Sequence, residues 1–336
     1  MHTSVFAVDV GYGNTKWAFR AASGRVVTGM FPSLAPLAPP RLLWGDGESM
    51  LAVRQIAKIT IGRIDYEVGP GVPLTAAYGR TGRALGDDFV LSDNYAALLF
   101  GAICFAGVTR IQRLVLGASM RNFEKDSAVL KQRFVGEHDF GHGRVIVEKV
   151  VVIPQPFGSL VLAASCRGDN FRRDDAHLVV DVGCFTTDWV YANGFAMDYN
   201  RSGGMPGGTS QIVRRIAKLV SRDEDEEVDE IELIDKALRE KSPFFFYGRN
   251  VELAPYIELS APIIADVVMD LQNRIAPLPD VHSIILSGGG IALYAAAIRR
   301  AFPRVIIEVI DSPCLANVLG FRMIGEAGLA RERRAD

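Results

Sequence analysis

One short pattern occurs twice, and it constrains the fold more than any other feature of this chain. Residues 3–20 read TSVFAVDVGYGNTKWAFR, and residues 177–194 read HLVVDVGCFTTDWVYANG. Each is an apolar run, then Asp-Val-Gly, a short turn-prone tip, a threonine and a second apolar run. Apolar runs flanking such a tip predict a β-hairpin. The Asp-Val-Gly of one copy stands 172 residues from that of the other, a domain-sized period rather than that of a solenoid. Two α/β domains of similar topology, each opening on its own hairpin and with a cleft between them, account for the repeat. A chain of 336 residues is long enough for both.

The rest of the pattern fits this division. Residues 21–90 are glycine-rich and irregular, and are expected to form a small mobile subdomain. Pro32, Pro36, Pro39 and Pro40 keep the start of that stretch in a loop or on a sheet edge. SDNYAALLFGAICFAG predicts a helix capped by Ser92 or Asp93 and stopped by Gly107. RLVLGAS (113–119) reads as a buried strand and SAVLKQRF as a helix. GRVIVEKVVVIPQPFGSLVLAAS gives two strands, a Pro-Gln-Pro turn and a helix from near Phe157. After the second hairpin, SGGMPGGTSQIVRRIAKLV predicts a glycine loop feeding a helix. The charged run from Asp223 to Glu230 is a solvated helix face or loop rather than a metal cluster. ELSAPIIADVVMDLQNRI is a helix that tolerates Pro262 in its first turn. HSIILSGGGIALYAAAIRRAF is strand, glycine loop and helix. VIIEVI is a strand, and SPCLANVLGFRMIGEAGLA is the last helix. The expected domains are therefore 1–165, completed by the C-terminal helix 318–336, and 166–317, with a smaller subdomain at about 215–255.

Composition narrows the function classes. Apolar residues make up 49% of the chain and charged residues 23%, as in soluble globular proteins. A formal net charge of −2 argues against a dedicated, sequence-specific nucleic-acid surface. The longest apolar run, residues 95–108, is too short to span a bilayer, and no membrane partner is expected. Asp9 interrupts the N-terminal apolar segment and no basic stretch precedes it, unlike a signal peptide. Cys104, Cys166, Cys184 and Cys314 form no CxxC pair, so a reducing cytoplasm is the expected setting.

The hairpin tips suggest a chemistry. Gly11 and Gly13 let backbone N–H groups approach an anion closely. Tyr12 lies between them, Asn14 and Thr15 add side-chain donors, and Lys16 adds a positive charge suited to phosphate. Asp9 would repel a phosphate unless a cation stood between, and Mg²⁺ held through water is the natural one. Asp181, Gly183, Cys184, Thr186, Thr187 and Asp188 repeat the arrangement. Two such hairpins would grip one polyphosphate from both sides, with Asp9 and Asp181 sharing the metal. Gly288, Gly289 and Gly290 end an apolar strand and open a helix, which permits close approach of a base or ribose. Gln155, between two prolines, is rigidly presented and suited to orienting a water for attack on a γ-phosphate.

Taken in order, these segments resemble the actin/Hsp70/sugar-kinase ATPase superfamily. AVDVGYGNTKWAF resembles its first phosphate loop, VVIPQPFGSL its first connecting segment and LVVDVGCFTTDWV its second phosphate loop. IILSGGGIAL resembles the adenosine motif, and CLANVLGFRMIG the second connecting helix. Within the superfamily, FPS at 31–33, LVLGAS, the Pro-Gln turn and ANVLGF resemble the ParM/StbA-like plasmid-segregation actins and their archaeal relatives. The ParM-like component of bacterial PRTRC systems is a narrower match.

The resemblance implies a two-domain actin/Hsp70-type fold of duplicated ribonuclease H-like domains around a central nucleotide cleft. It implies ATP or ADP and Mg²⁺ as ligands, with Asp9 and Asp181 holding the metal through water. The 11–16 and 183–187 turns would bind the β- and γ-phosphates, Gln155 would place the attacking water, and Gly288–Gly290 would meet the adenosine. It also implies head-to-tail self-association and an adaptor protein linking the polymer to DNA. Cys184 and Phe185 depart from the pattern, standing where many relatives have small residues.

Other readings compete. His138 and His142 in HDFGH have the spacing of a helical metal pair, but Gly141 and Gly143 favour a turn. A dinucleotide-binding fold needs Gly-x-Gly-x-x-Gly opening a helix, whereas GYGNTK leads into a second apolar strand. Besides a nucleotide-driven filament, a non-polymerising ATP switch and a small-molecule kinase of the same superfamily remain as alternatives. No clear acidic base for a kinase stands out.

Overall fold

The structure is a computed structural model that describes residues 1–39, 55–78, 86 and 88–335. It divides into two compact units, Met1–Leu162 with Asn317–Asp336, and Ala163–Ala316.

The first unit opens on β1 (His2–Val10) and β2 (Asn14–Arg20), an antiparallel hairpin in which Asp9 faces Lys16 and Val10 faces Thr15. β3 (Val26–Pro32) pairs with β2 and forms the sheet edge, where Pro32 costs no ladder bond. β4 (Ala57–Ile61) and β5 (Ile64–Val68) make a separate two-stranded sheet. The helix α1 (Asp93–Ala106) is buried from Tyr95 through Ile103. Its caps are those the sequence predicts: the Ser92 hydroxyl accepts from the Tyr95 amide at 3.1 Å, and Gly107 takes φ +64°.

β6 (Arg110–Ala118) runs parallel to β1, and α2 (Phe123–Phe134) follows it. β7 (Gly136–Asp139) and β8 (Arg144–Val147) form a hairpin, and β9 (Val150–Pro154) leads straight into α3 (Gln155–Arg167). Among the described residues the main sheet has seven strands in the order β3-β2-β1-β6-β8-β7, with β9 alongside the C-terminal half of β6. Period-2 alternation sorts its faces. Phe6, Val8, Val10, Trp17, Phe19, Leu114 and Leu116 enter one hydrophobic core. Asp9 and Lys16 lie on the opposite face.

The second unit repeats the plan. β10 (Ala176–Val182) and β11 (Thr186–Asn193) form the second hairpin, and β12 (Ala196–Pro206) extends it. Then come α4 (Thr209–Glu224), α5 (Ile231–Glu240), the short hairpin β13 (Phe244–Phe246) and β14 (Arg249–Val251), α6 (Ala254–Leu259) and α7 (Ala261–Ile275). β15 (Val281–Ser287), α8 (Ile291–Ala301) and β16 (Ile306–Val309) complete it. The sheet order is β12-β11-β10-β15-β16, with β15 parallel to β10. Leu178, Val180, Val182, Trp189, Ile284 and Leu286 form its core with Ile212, Ile216, Ile264 and Ile298 from the helices.

The last helix, α9 (Ala316–Ala335), returns to the first unit and covers the face that carries Asp9. It fits there because of its glycines. A Cβ on Gly325 would stand 2.6 Å from Val5 and 2.8 Å from Val115, and one on Gly320 would stand 1.8 Å from the Gly158 carbonyl oxygen of α3. Ion pairs tie the helix down further, Arg20 with Glu326 and both Arg113 and Lys149 with Glu332.

Two sequence expectations are revised, and a third lies partly outside the described residues. The SGGMPGG segment is not all loop: Ser202–Pro206 belong to β12, because the free edge of β11 offers them a partner. α3 begins at Gln155, two residues early, since Pro156 is tolerated in a first turn. The expected subdomain at 21–90 lies partly outside the described residues, as does Pro40; within them, β3 belongs to the main sheet. His138 lies on β7 and His142 in the β7–β8 turn, where its Nε2 is 2.9 Å from the Lys58 carbonyl oxygen. Among the described residues no three His, Cys, Asp or Glu side chains group as a metal would need, and no helix is long and apolar enough to cross a membrane.

Candidate functional site

Each hairpin closes with the same bond. The Gly11 amide donates to the Asn14 carbonyl at 3.2 Å, and the Gly183 amide to the Thr186 carbonyl at 2.9 Å. A Cβ on either glycine would lie 3.1 Å from that carbonyl oxygen. Cys184 and Phe185 therefore do not alter the closure of the turn. The Phe185 ring instead lies 5.5 Å from the Arg214 guanidinium.

In the first unit the residues singled out at the tip have distinct partners. Asp9 is 2% exposed. Lys16 Nζ stands 3.0 Å from its Oδ2, and Gln155 Nε2 donates to its Oδ1 at 2.8 Å. So Lys16 and Gln155, read from sequence as phosphate- and water-facing groups, both meet Asp9. α3 delivers Gln155 there because β9 ends beside Gly117, where a Cβ would lie 2.9 Å from Gln155 Cγ. The Tyr12 ring stacks on Phe89 at 4.8 Å and its hydroxyl donates to the Gly86 carbonyl, which leaves its backbone as the part suited to a ligand. Thr15 is fully buried and shares a 2.9 Å hydrogen bond with Ser33. Ser33 in turn donates its hydroxyl to the Gly11 carbonyl at 2.6 Å and its amide to the Gly13 carbonyl at 3.0 Å. Gly13 and Asn14 are half-buried at the tip.

Beneath this hairpin the Tyr95 hydroxyl is buried without a hydrogen-bond partner among the described residues. Burial, with the charges of Asp9 and Asp126, pushes its ionisation well above the usual tyrosine value.

The second unit gathers three segments. The tip carbonyls of Gly183 and Cys184 accept from the Thr209 and Ser210 amides at the start of α4. Gly208 makes this approach possible: a Cβ there would sit 2.6 Å from the Gly183 carbonyl oxygen. Asp181 and Asp188 are both buried and face each other across the hairpin, so both carboxylates point to one face. The Thr186 hydroxyl donates to Asp188 at 2.8 Å, and the buried Thr187 hydroxyl donates to the Gly207 carbonyl at 2.7 Å. The Thr187 hydroxyl is thus engaged within the turn.

The glycine run packs against this hairpin. Gly288 takes φ +94°, and a Cβ there would sit 2.2 Å from Asp181 Oδ1. The Gly290 amide donates to the Val182 carbonyl at 2.9 Å. Gly289 is exposed, whereas Gly288 and Gly290 are buried. Gly289, at the head of α8, is thus the one of the three open to solvent.

The donors fit magnesium unequally. Carboxylate and hydroxyl oxygens are the ligands or water-holders Mg²⁺ takes. Asp181 facing Asp188 supplies two such groups where like charges otherwise repel. Asp9 already has a cation, Lys16, within ion-pair distance. The sequence reading did not single out Ser33, Gly208 or Ser287. The serine of FPS was the available signal for the first; the other two emerge from strand register and helix placement.

Residues 7–158 match the family described as actin-like proteins, N-terminal domain, and residues 179–299 match the C-terminal domain of archaeal MreB-like actin homologues. No curated protein matches the sequence. Among solved structures, the archaeal actin homologue Ta0583 in complex with ADP superposes with a TM-score of 0.75 at 18% identity, covering 96% of this chain and 99% of that one. A ParM from a fifteen-stranded filament of Clostridium botulinum gives 0.75 at 20% identity, over 97% and 100%. AlfA from a filament bound to AMPPNP gives 0.63 at 15%, over 98% and 99%. The shared feature is the two-domain α/β architecture with a mixed sheet in each half.

Proposed function

The chain belongs to the actin-like proteins, and from that premise we propose that it binds and hydrolyses ATP with Mg²⁺ and assembles with itself into nucleotide-dependent filaments that serve plasmid or DNA segregation. One observation carries the nucleotide part. Two hairpins close with the same glycine-to-carbonyl bond, and each brings a buried aspartate to the end of its first strand. The filament part rests on the fold, which is shared with a ParM and an AlfA solved as filaments.

In this reading the backbone of Gly11–Lys16 and of Gly183–Asp188 receives the β- and γ-phosphates of one ATP. Asp9 and Asp181 hold the water shell of the metal, and Gly288–Gly290 lie against the adenosine end. Mg²⁺, when bound, offsets phosphate charge and polarises the γ-phosphoryl group. Gln155 rests on Asp9 in the structure described. To orient a water, its amide exchanges that bond for one to the water, while Lys16 keeps Asp9 neutralised. Contacts that depend on the γ-phosphate weaken after hydrolysis, and a polymer whose interfaces are coupled to them then comes apart. Subunits associate head to tail, and an adaptor protein, rather than sequence-specific binding by this chain, links the polymer to DNA. The work is done in the cytoplasm.

The test is 90° light scattering with electron microscopy of the purified protein in Mg²⁺ with ATP, ADP or a non-hydrolysable analogue. Filaments that form with ATP and decay as phosphate is released support the proposal. Steady turnover with no polymer at high protein concentration refutes the filament and leaves a monomeric switch.

A further inference from the structure

Ser287 ends β15 and is wholly buried, yet its hydroxyl has no hydrogen-bond partner among the described residues. Buried hydroxyls nearly always have one. Its surroundings give the orphan a direction. In the parallel register of β10 and β15, Ser287 stands beside Asp181, and Asp181 stands opposite Asp188. Neighbours across paired strands share a face. Asp188, Asp181 and Ser287 therefore form a row of oxygen-bearing side chains across three adjacent strands. The row lies on the face opposite Val180, Val182 and Leu286, which enter the core. The strand end is fitted closely to it, since the hydrogen of Gly288 takes a place where a Cβ would be 2.2 Å from Asp181 Oδ1.

Ser283, four residues earlier on the same face of β15, is equally buried, but its hydroxyl is 3.0 Å from His177 Nδ1 and 3.2 Å from an Arg167 nitrogen. The fold thus satisfies one serine of this face with protein groups and leaves the other without one, beside the carboxylate pair.

We propose that Ser287 is a positioning residue for the hydrated divalent cation that accompanies the nucleotide, its hydroxyl bonding to the part of the water shell that lies on the side of Asp181 and its neighbour Asp188. The proposal rests on the reading of this hairpin as a Mg-nucleotide site. It has a double signature. An orphaned hydroxyl weakens the empty protein and gains a partner when the cation arrives, so Ser287 should steepen the dependence of nucleotide binding on Mg²⁺.

The experiment compares Ser287→Ala with Ser283→Ala. It uses thermal melting of the empty protein, and titration of Mg²⁺ into protein holding a fluorescent ATP analogue. For Ser287→Ala we expect a melting temperature equal to or above wild type. We also expect a Mg²⁺ midpoint about three- to tenfold higher, the size of one lost hydrogen bond, and unchanged analogue binding in EDTA. For Ser283→Ala we expect a lower melting temperature and an unchanged midpoint. A Ser287→Ala midpoint within twofold of wild type overturns the proposal, and so does a melting temperature that falls as for Ser283→Ala. Wild-type protein that shows no Mg²⁺-dependent analogue binding overturns the functional reading itself, a result distinct from either.

Discussion

Alanine at Gly288 should damage the second unit far more than alanine at the next position. Two costs add at Gly288. Its φ of +94° lies where an L side chain is strained, by about 1–2 kcal/mol. The new Cβ would also stand 2.2 Å from Asp181 Oδ1 and 2.3 Å from the Val182 carbonyl oxygen. Relieving that contact moves the end of β15 away from β10, at a typical overpacking cost of about 1–3 kcal/mol. Together they come to roughly 2–5 kcal/mol. Gly290 carries the steric cost alone: its φ is −85°, with Thr209 Cγ2 2.7 Å and Val182 Cγ1 2.8 Å from the added carbon. Gly289 carries neither, being exposed with Cys314 Sγ 3.9 Å away, and its alanine variant should stay within about 0.5 kcal/mol of wild type. Hydrogen exchange of the β10 and β15 amides in increasing urea reads this unit alone, and should rank the losses Gly288, then Gly290, then Gly289. Equal protection in the Gly288→Ala and Gly289→Ala proteins would refute the reasoning. So would a loss in Gly289→Ala as large as that in Gly288→Ala.

Asp9→Ala should abolish ATP hydrolysis in a phosphate-release assay, and near-normal turnover would remove Asp9 from the metal site. Gln155→Ala should keep ATP affinity within a few-fold and slow hydrolysis by about tenfold to a hundredfold; loss of binding instead would make the glutamine structural. Acid should weaken the second unit through His177, whose imidazole is held down at about 4, first by burial and then by Arg167 and His282, against Asp175 and Glu308. The unfolded chain then binds the proton first, so stability is complete above about pH 6.5 and is lost as pH falls toward 4, by on the order of 3 kcal/mol. His177→Gln should flatten that part of the stability profile, and an unchanged slope would show that other groups cause it.

The hairpins, the capped α1 and the glycine run were legible in sequence because each is local. Period-2 apolarity, Ser92 and Gly107 at the helix ends, and three glycines after a strand all act within a few residues. The partners of the site residues were not legible, because they come from register and distant packing. Nothing in GYGNTK says that Lys16 bonds Asp9; that follows from Asp9 and Lys16 being directly opposed across β1 and β2. Nothing in VVIPQPFGSL brings Gln155 to Asp9, 146 residues away; the parallel pairing of β9 with β6 and the bare Gly117 do. SGGMPGG read as loop because five of its seven residues are glycine or proline, yet the open edge of β11 drew its first residues into a strand. Local propensity lost there to a tertiary partner.

Lys16 and Asp188 occupy the same seat in two copies of one hairpin, each directly across from the aspartate of its own Asp-Val-Gly. That seat divides the labour between the halves. The N-terminal copy sets a base against its acid, so Asp9 keeps a counter-charge of its own whether or not a metal is bound. The C-terminal copy sets acid against acid, an arrangement that a bound cation favours. Chelators and salt should therefore act more strongly on the C-terminal hairpin than on the N-terminal one. Exchanging the two seats, Lys16→Asp together with Asp188→Lys, would move that sensitivity from the C-terminal half to the N-terminal one.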